Sequence, residues 1–126
     1  MGPPTDLLTI RKDIRVKYLL LICGDESRLN DVERMQGWAG YTNELVAAGK
    51  VRGGERLRPA ATATTLRITG GNRLLADGPF AETKEQLGGF FLVEAKDLDE
   101  AVELASKMPH LQDGGAVEIR PIWPPD

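Results

Sequence analysis

Gly89-Phe90-Phe91-Leu92-Val93-Glu94-Ala95, followed after Lys96 by Asp97-Leu98-Asp99-Glu100-Ala101-Val102-Glu103-Leu104-Ala105, is the stretch on which the fold turns. Four consecutive apolar residues, Phe90 to Val93, read as a strand at the centre of a sheet. Asp97 and Glu100 have the spacing of a capping box, in which each side chain supplies a partner for backbone N–H groups that a helix start leaves open. Leu98, Ala101, Val102, Leu104, Ala105 and Met108 then recur at helical spacing, and Pro109 stops the helix because its ring cannot continue one. Residues 116–122 close the pattern as a strand, with Val117 and Ile119 facing one side and Glu118 and Arg120 the other.

Working toward the N-terminus, Tyr18-Leu19-Leu20-Leu21-Ile22 is a second central strand. Asn30 or Asp31 can cap a helix carrying Val32, Met35, Trp38, Ala39, Thr42, Leu45 and Val46 at helical spacing, with Gly49 as its stop. Gly37 and Gly40 each cost that helix about 1 kcal/mol against alanine, so close packing against a sheet, or a ligand beside them, is expected there. Residues 51–58, broken by Gly53 and Gly54, fit a short edge strand. Residues 63–68 and 73–77, joined through Thr69-Gly70-Gly71-Asn72, read as an antiparallel hairpin. Residues 1–16 lack a clear period and read as a dispensable leader, leaving one domain at 17–124.

Strand, helix, strands, strand, helix, strand predicts an α+β fold: a ferredoxin-like two-layer sandwich with both helices on one sheet face. The other face needs a cover, and a second copy of the chain, a homodimer, is the expected one.

Composition narrows the function. The 126 residues are 41% apolar and 28% charged with a net charge of −3, average for a globular domain and without a basic cluster to follow phosphates, so direct nucleic-acid binding is not expected. No run approaches the roughly 20 apolar residues of a membrane span. One cysteine, Cys23, precludes an internal disulfide; it fits a packed small side chain, and the cytoplasm is the expected compartment. One histidine and one cysteine do not suffice for structural zinc, and no cofactor is expected.

The informative motif is Asp77-Gly78-Pro79-Phe80-Ala81-Glu82-Thr83-Lys84-Glu85-Gln86-Leu87-Gly88-Gly89. Asp77 suits an Asx turn, Gly78 tolerates dihedrals closed to other residues, and Thr83 with Gln86 has the spacing of a one-turn helix start. This segment resembles the YCII-related family, in particular its DGPF-domain branch. The resemblance extends to Lys17-Tyr18-Leu19-Leu20-Leu21-Ile22, Ala63-Thr64-Thr65-Leu66-Arg67 and Val117-Glu118-Ile119-Arg120-Pro121-Ile122. It implies a dimeric α+β barrel type of ferredoxin-like fold, and an association with extracytoplasmic-function sigma-factor transcription, hence a sigma-factor-related protein as partner. The histidine and aspartate proposed as an acid–base pair in the YCII branch have no counterparts: Asp31 to Trp38 holds no histidine, and Met108 precedes Pro109.

Two functional classes stay open, a small binding or regulatory module for a small molecule or partner protein, and a small acid–base enzyme of isomerase or lyase type with a cleft at the dimer sheet. Candidate ligand-binding residues are Asp77, Gly78, Phe80, Glu82 and Lys84, together with His110, the sole histidine. His110 follows a helix end, where it can instead satisfy helix carbonyls.

Overall fold

The computed structural model describes residues 15–29 and 32–124, with only the backbone of residues 32–34. The leader and the expected caps Asn30 and Asp31 therefore lie outside what can be described, apart from Arg15 and Val16. In chain order the elements are β1 (Val16–Gly24), α1 (Glu26–Leu29), α2 (Val32–Ala47), β2 (Val51–Arg56), β3 (Thr64–Thr69), β4 (Asn72–Asp77), β5 (Gln86–Ala95), α3 (Leu98–Ser106) and β6 (Ala116–Pro121), with single 3₁₀ turns at Ala60–Thr62 and Pro109–Asp113.

Four strands form one antiparallel sheet in the order β2-β5-β1-β6, the arrangement of a ferredoxin-like α+β fold. The two apolar runs are its central strands, because each needs hydrogen-bonded neighbours on both edges and apolar cover. Between β2 and β5 the chain makes an excursion, the β3–β4 hairpin, which is a separate two-stranded sheet. Its two-residue turn uses Gly70 and Gly71 at φ +57 and +83, the paired left-handed conformation that matches the twist of hairpin strands.

Alternation along β1 and β5 divides the main sheet. Tyr18, Leu20, Ile22 and Val93 are buried on the helix side, and Leu20, Val93 and Met108 are the largest fully buried side chains. Leu19 pairs with Leu92 and Leu21 with Phe90 on the opposite side, where all four are only half-buried. The Arg52–Glu94 ion pair at 3.0 Å and the Glu118–Arg120 pair at 3.0 Å border this second face. Such solvent-accessible pairs contribute little to stability.

The helices differ from their expected faces in an instructive way. On α2 the buried residues are Tyr41 and Leu45, with Trp38 half-buried, while Ala39 and Val46 are exposed. Tyr41 belongs inside because its hydroxyl donates to the Leu104 carbonyl at 2.7 Å, satisfying the one polar atom of an otherwise apolar side chain. On α3, Ala101 and Ala105 are buried, whereas Leu98 and Val102 are exposed; small residues set the close approach of helix to sheet. The capping box forms around Asp97, whose side chain accepts from Glu100 N–H at 2.9 Å, while the Glu100 carboxylate takes Lys96 N–H at 3.0 Å and Lys50 Nζ at 3.2 Å. The bond from Lys96 N–H, and then Lys50, holds the Glu100 pKa below the usual carboxylate range.

Gly37 approaches the Pro109 ring rather than a sheet, and Gly40 faces open space. The expected one-turn helix at Thr83–Gln86 does not form. The Gln86 amide instead donates to the Ala81 and Thr83 carbonyls at 3.2 and 2.9 Å, so a side chain supplies the bonds a helical backbone would have made.

Candidate functional site

The side of α2 next to its buried face lies over β2 and the start of β5, and between them is a cavity of about 610 Å³ that opens to solvent. That volume suits a small organic ligand. Met35, Trp38, Ala39, Thr42 and Asn43 line it from the helix, and Leu29 closes one end against Gly88. The opposite wall is made from residues without side chains or with long ones. A Cβ at Gly54 would fall 2.8 Å from Phe91 Cδ1 and 2.8 Å from the Phe90 carbonyl oxygen; one at Gly89 would fall 2.7 Å from the Glu55 carbonyl oxygen. These glycines bring β2 and β5 together and let the Phe91 ring spread under the cavity.

The aromatic wall is cooperative. Trp38 lies 5.8 Å from Tyr41 edge-on and 6.5 Å from Phe91 at an interplanar angle of 23°, while Tyr41 meets Phe91 edge-on at 5.6 Å. Burial pushes the Tyr41 phenol up to about 12, so it remains a neutral donor to Leu104 throughout the ordinary pH range.

His110 supports this wall from the Pro109–Asp113 turn. Its ring stacks on Trp38 at 5.3 Å and 28° and is 2% exposed. Nε2 lies 2.8 Å from the Ala116 carbonyl oxygen, which can only accept, so Nε2 carries the proton and Nδ1 holds a bare lone pair. Nδ1 has no hydrogen-bond partner among the described residues. Burial lowers the His110 pKa below 6.5, against the opposing pull of the Ala116 bond and the nearby Asp113 carboxylate. The expected role at the helix-end carbonyls is therefore replaced by a bond to β6. Gly115 is required beside it, because a side chain there would run into the imidazole.

The signature residues sit elsewhere. Gly78 has φ +102, its N–H donates to the Ala63 carbonyl at 2.7 Å, and its carbonyl accepts from Thr65 Oγ1 at 2.9 Å. Backbone and Thr65 hold this turn; among the described residues the Asp77 carboxylate accepts no bond, contrary to the expected Asx turn. Phe80 is 73% exposed with the Arg67 guanidinium 4.7 Å above its ring. Glu82 is exposed, and Lys84 lies near Asp25, whose carboxyl is lowered first by its bonds from Ser27 and only slightly by Lys84. None of Asp77, Gly78, Phe80, Glu82, Lys84 or His110 lines the cavity. The cavity residues could have been found from one signal. Met35, Ala39 and Thr42 widen the stripe of α2 beyond what its packed face uses, opposite the glycine-broken edge strand 51–58.

Cys23 lies half-buried on the opposite sheet face, its pKa raised by burial and then by Glu118 and Glu85, which suits a packed thiol rather than a nucleophile. Among the described residues no cluster of three or more His, Cys, Asp or Glu could hold a metal ion, and no helix is long and apolar enough to cross a membrane.

Fold and site together define an α+β domain of antiparallel sheets, compatible with a ferredoxin-like fold, with an aromatic-walled cavity between its long helix and an edge strand. Residues 16–125 match the model of the YCII-related domain, and the chain belongs to that family. It is 38% identical over 112 residues to an uncharacterized protein of Rhizobium meliloti (strain 1021), an alignment covering 83% of this chain and 90% of that protein.

Proposed function

We propose that this YCII-related protein is a small-molecule binding module, of the DGPF branch, that works as a homodimer. The cavity of about 610 Å³, walled by Trp38, Phe91 and Met35, carries the proposal. A concave site of this volume that opens to solvent and is walled largely by aromatic and aliphatic side chains, with a few polar groups at its rim, has the character of a small-molecule pocket. The acid–base enzyme is the weaker reading, because the lining holds no histidine or cysteine and His110 is committed to Trp38 and Ala116. The proposed link to sigma-factor transcription rests on the signature at 77–89 alone.

The dimer is supported by the strip of Leu19, Leu21, Phe90 and Leu92, which no helix among the described residues covers, and by the exposed apolar side chains of the hairpin. Both would be buried against a second copy in an interface of the standard size, roughly 1,600 Å² in total.

The cavity is tested by filling it. In a thermal-shift screen of small aromatic and aliphatic compounds, binders should raise the melting temperature of the native protein. Ala39→Trp, which places an indole in the gap from an exposed helix position, should abolish that rise while the protein stays folded. Binders that stabilise both proteins equally would place the site elsewhere.

A further inference from the structure

We propose that His110 is a proton-operated support of the cavity: neutral, it backs Trp38 as a wall, and protonated it leaves that seat, so an occupant is released in acid. This rests on the cavity being the ligand site. The imidazole sits behind the wall rather than in the lining, stacked on Trp38 at 5.3 Å and 2% exposed. Its Nε2–H is engaged by the Ala116 carbonyl at 2.8 Å. Nδ1 is buried without a hydrogen-bond partner among the described residues, which suits a lone pair and not a proton.

The groups packed around the ring leave a second proton without an acceptor. From α2 come the Trp38 ring and, beyond it, the Tyr41 phenol, whose hydroxyl is committed to Leu104. From β6 comes the Ala116 carbonyl, already used, while the Glu118 carboxylate pairs with Arg120. On α1, Glu26 accepts the Ala60 N–H and Arg28 is exposed; just before it, Asp25 accepts from Ser27. Asp113, in the same turn as His110, acts on the imidazole through space but makes no bond to Nδ1. Burial outweighs that pull, and His110 titrates below 6.5.

A proton on Nδ1 therefore creates a buried charge with an unpaired donor, a state far costlier than the neutral ring. The ring escapes by turning out with the Pro109–Asp113 segment. That segment is docked on α2, where a Cβ at Gly37, next to Trp38, would lie 3.4 Å from the Pro109 ring. Its departure removes the backing of the indole that faces Phe91 at 6.5 Å. Protonation and occupancy thus compete, and linkage makes the competition reciprocal: acid weakens the ligand, and the ligand lowers the His110 pKa further. Because the neutral form is the binding form, affinity is complete above the folded pKa and is lost as pH falls through it.

The test uses the full chain and 2-phenylethanol, an aromatic probe whose own charge does not change with pH. The chain has a single histidine, so the Cε1–H resonance reports the His110 pKa directly. That pKa should fall when the probe is saturating. The probe's affinity, read from the amide shifts of Trp38 and Phe91, should be constant above the His110 pKa and weaken below it, by at most about tenfold per pH unit because one proton is linked. His110→Phe keeps a ring against Trp38 and should bind the probe with no such pH dependence. An unchanged His110 pKa at saturation, or an affinity that stays constant while His110 titrates, overturns the coupling and leaves the cavity as the site. Equal weakening in His110→Phe overturns the assignment to His110; where that variant does not fold, the His110 pKa of the native chain decides. No shift of the cavity amides at any pH overturns the cavity reading itself.

Discussion

The four-stranded sheet and the β3–β4 hairpin both carry large aliphatic side chains, yet these come to opposite ends. Leu20 and Val93 in the sheet are fully buried. In the hairpin Leu66, Ile68, Leu74 and Leu75 are 53 to 64% exposed, and Phe80 just beyond it is 73% exposed. Register explains part of the contrast. Leu66 pairs with Leu75 and Ile68 with Arg73 on one face, while Leu74 pairs with Arg67 on the other, so apolar side chains occupy both faces and stay exposed among the described residues. A lone two-stranded hairpin is marginal in water. The difference teaches that apolar sequence marks surface that can be covered without saying by whom: the sheet is covered from within the chain on its helix side, while the hairpin and the opposite sheet face are the surfaces that the proposed homodimer would cover.

The comparison breaks most visibly at the sheet. Leu20→Ala removes a side chain with no exposed surface from the centre of β1 and should cost about 3 kcal/mol in denaturant unfolding. A loss below about 1 kcal/mol would mean that the helix side is far less tightly packed than its burial indicates.

Acid sharpens it next. His110 has a folded pKa below 6.5, so its contribution to stability is complete above about pH 6.5 and declines as pH falls below that value, because the unfolded chain takes up the proton first. The melting temperature should fall between pH 7 and pH 5. The fall should be smaller in His110→Phe, which keeps a ring against Trp38 and cannot titrate. Identical pH profiles for the two proteins would show that His110 is not held neutral by burial.

The hairpin should respond least in folding and most in assembly. Ile68→Lys and Leu75→Lys at these exposed positions should alter unfolding free energy of the subunit by less than about 0.5 kcal/mol. Light scattering should nevertheless show the native chain as a dimer at micromolar concentration and the double variant shifted toward monomer. A native monomer would remove the second copy as the cover for this region.

Both central strands, the glycine turn of the hairpin, the Asp97 cap and the two-sided pattern of β6 were legible in the sequence because each depends on local period or on a single conformational requirement. Tyr41 escaped because its burial depends on reaching the Leu104 carbonyl 63 residues away. His110 is similar, its bond to Ala116 and its stack on Trp38 being set by how the Pro109–Asp113 turn folds over α2. The signature drew attention to 77–84, where the polar residues are exposed and the turn depends on Gly78 backbone. The cavity was the least legible feature, since it depends on how α2 sits over β2 and the start of β5, whereas Gly54 and Gly89 record only the close approach of those two strands.

The most direct test of the central claim, that function resides between α2 and β2, is an amide chemical-shift titration of the full chain with the small aromatic compound that most raises its melting temperature. The account predicts perturbations confined to residues 35–43, 54–58 and 88–91, with residues 77–84 unmoved. Perturbations centred on 77–84 and His110, with the cavity residues silent, would contradict it.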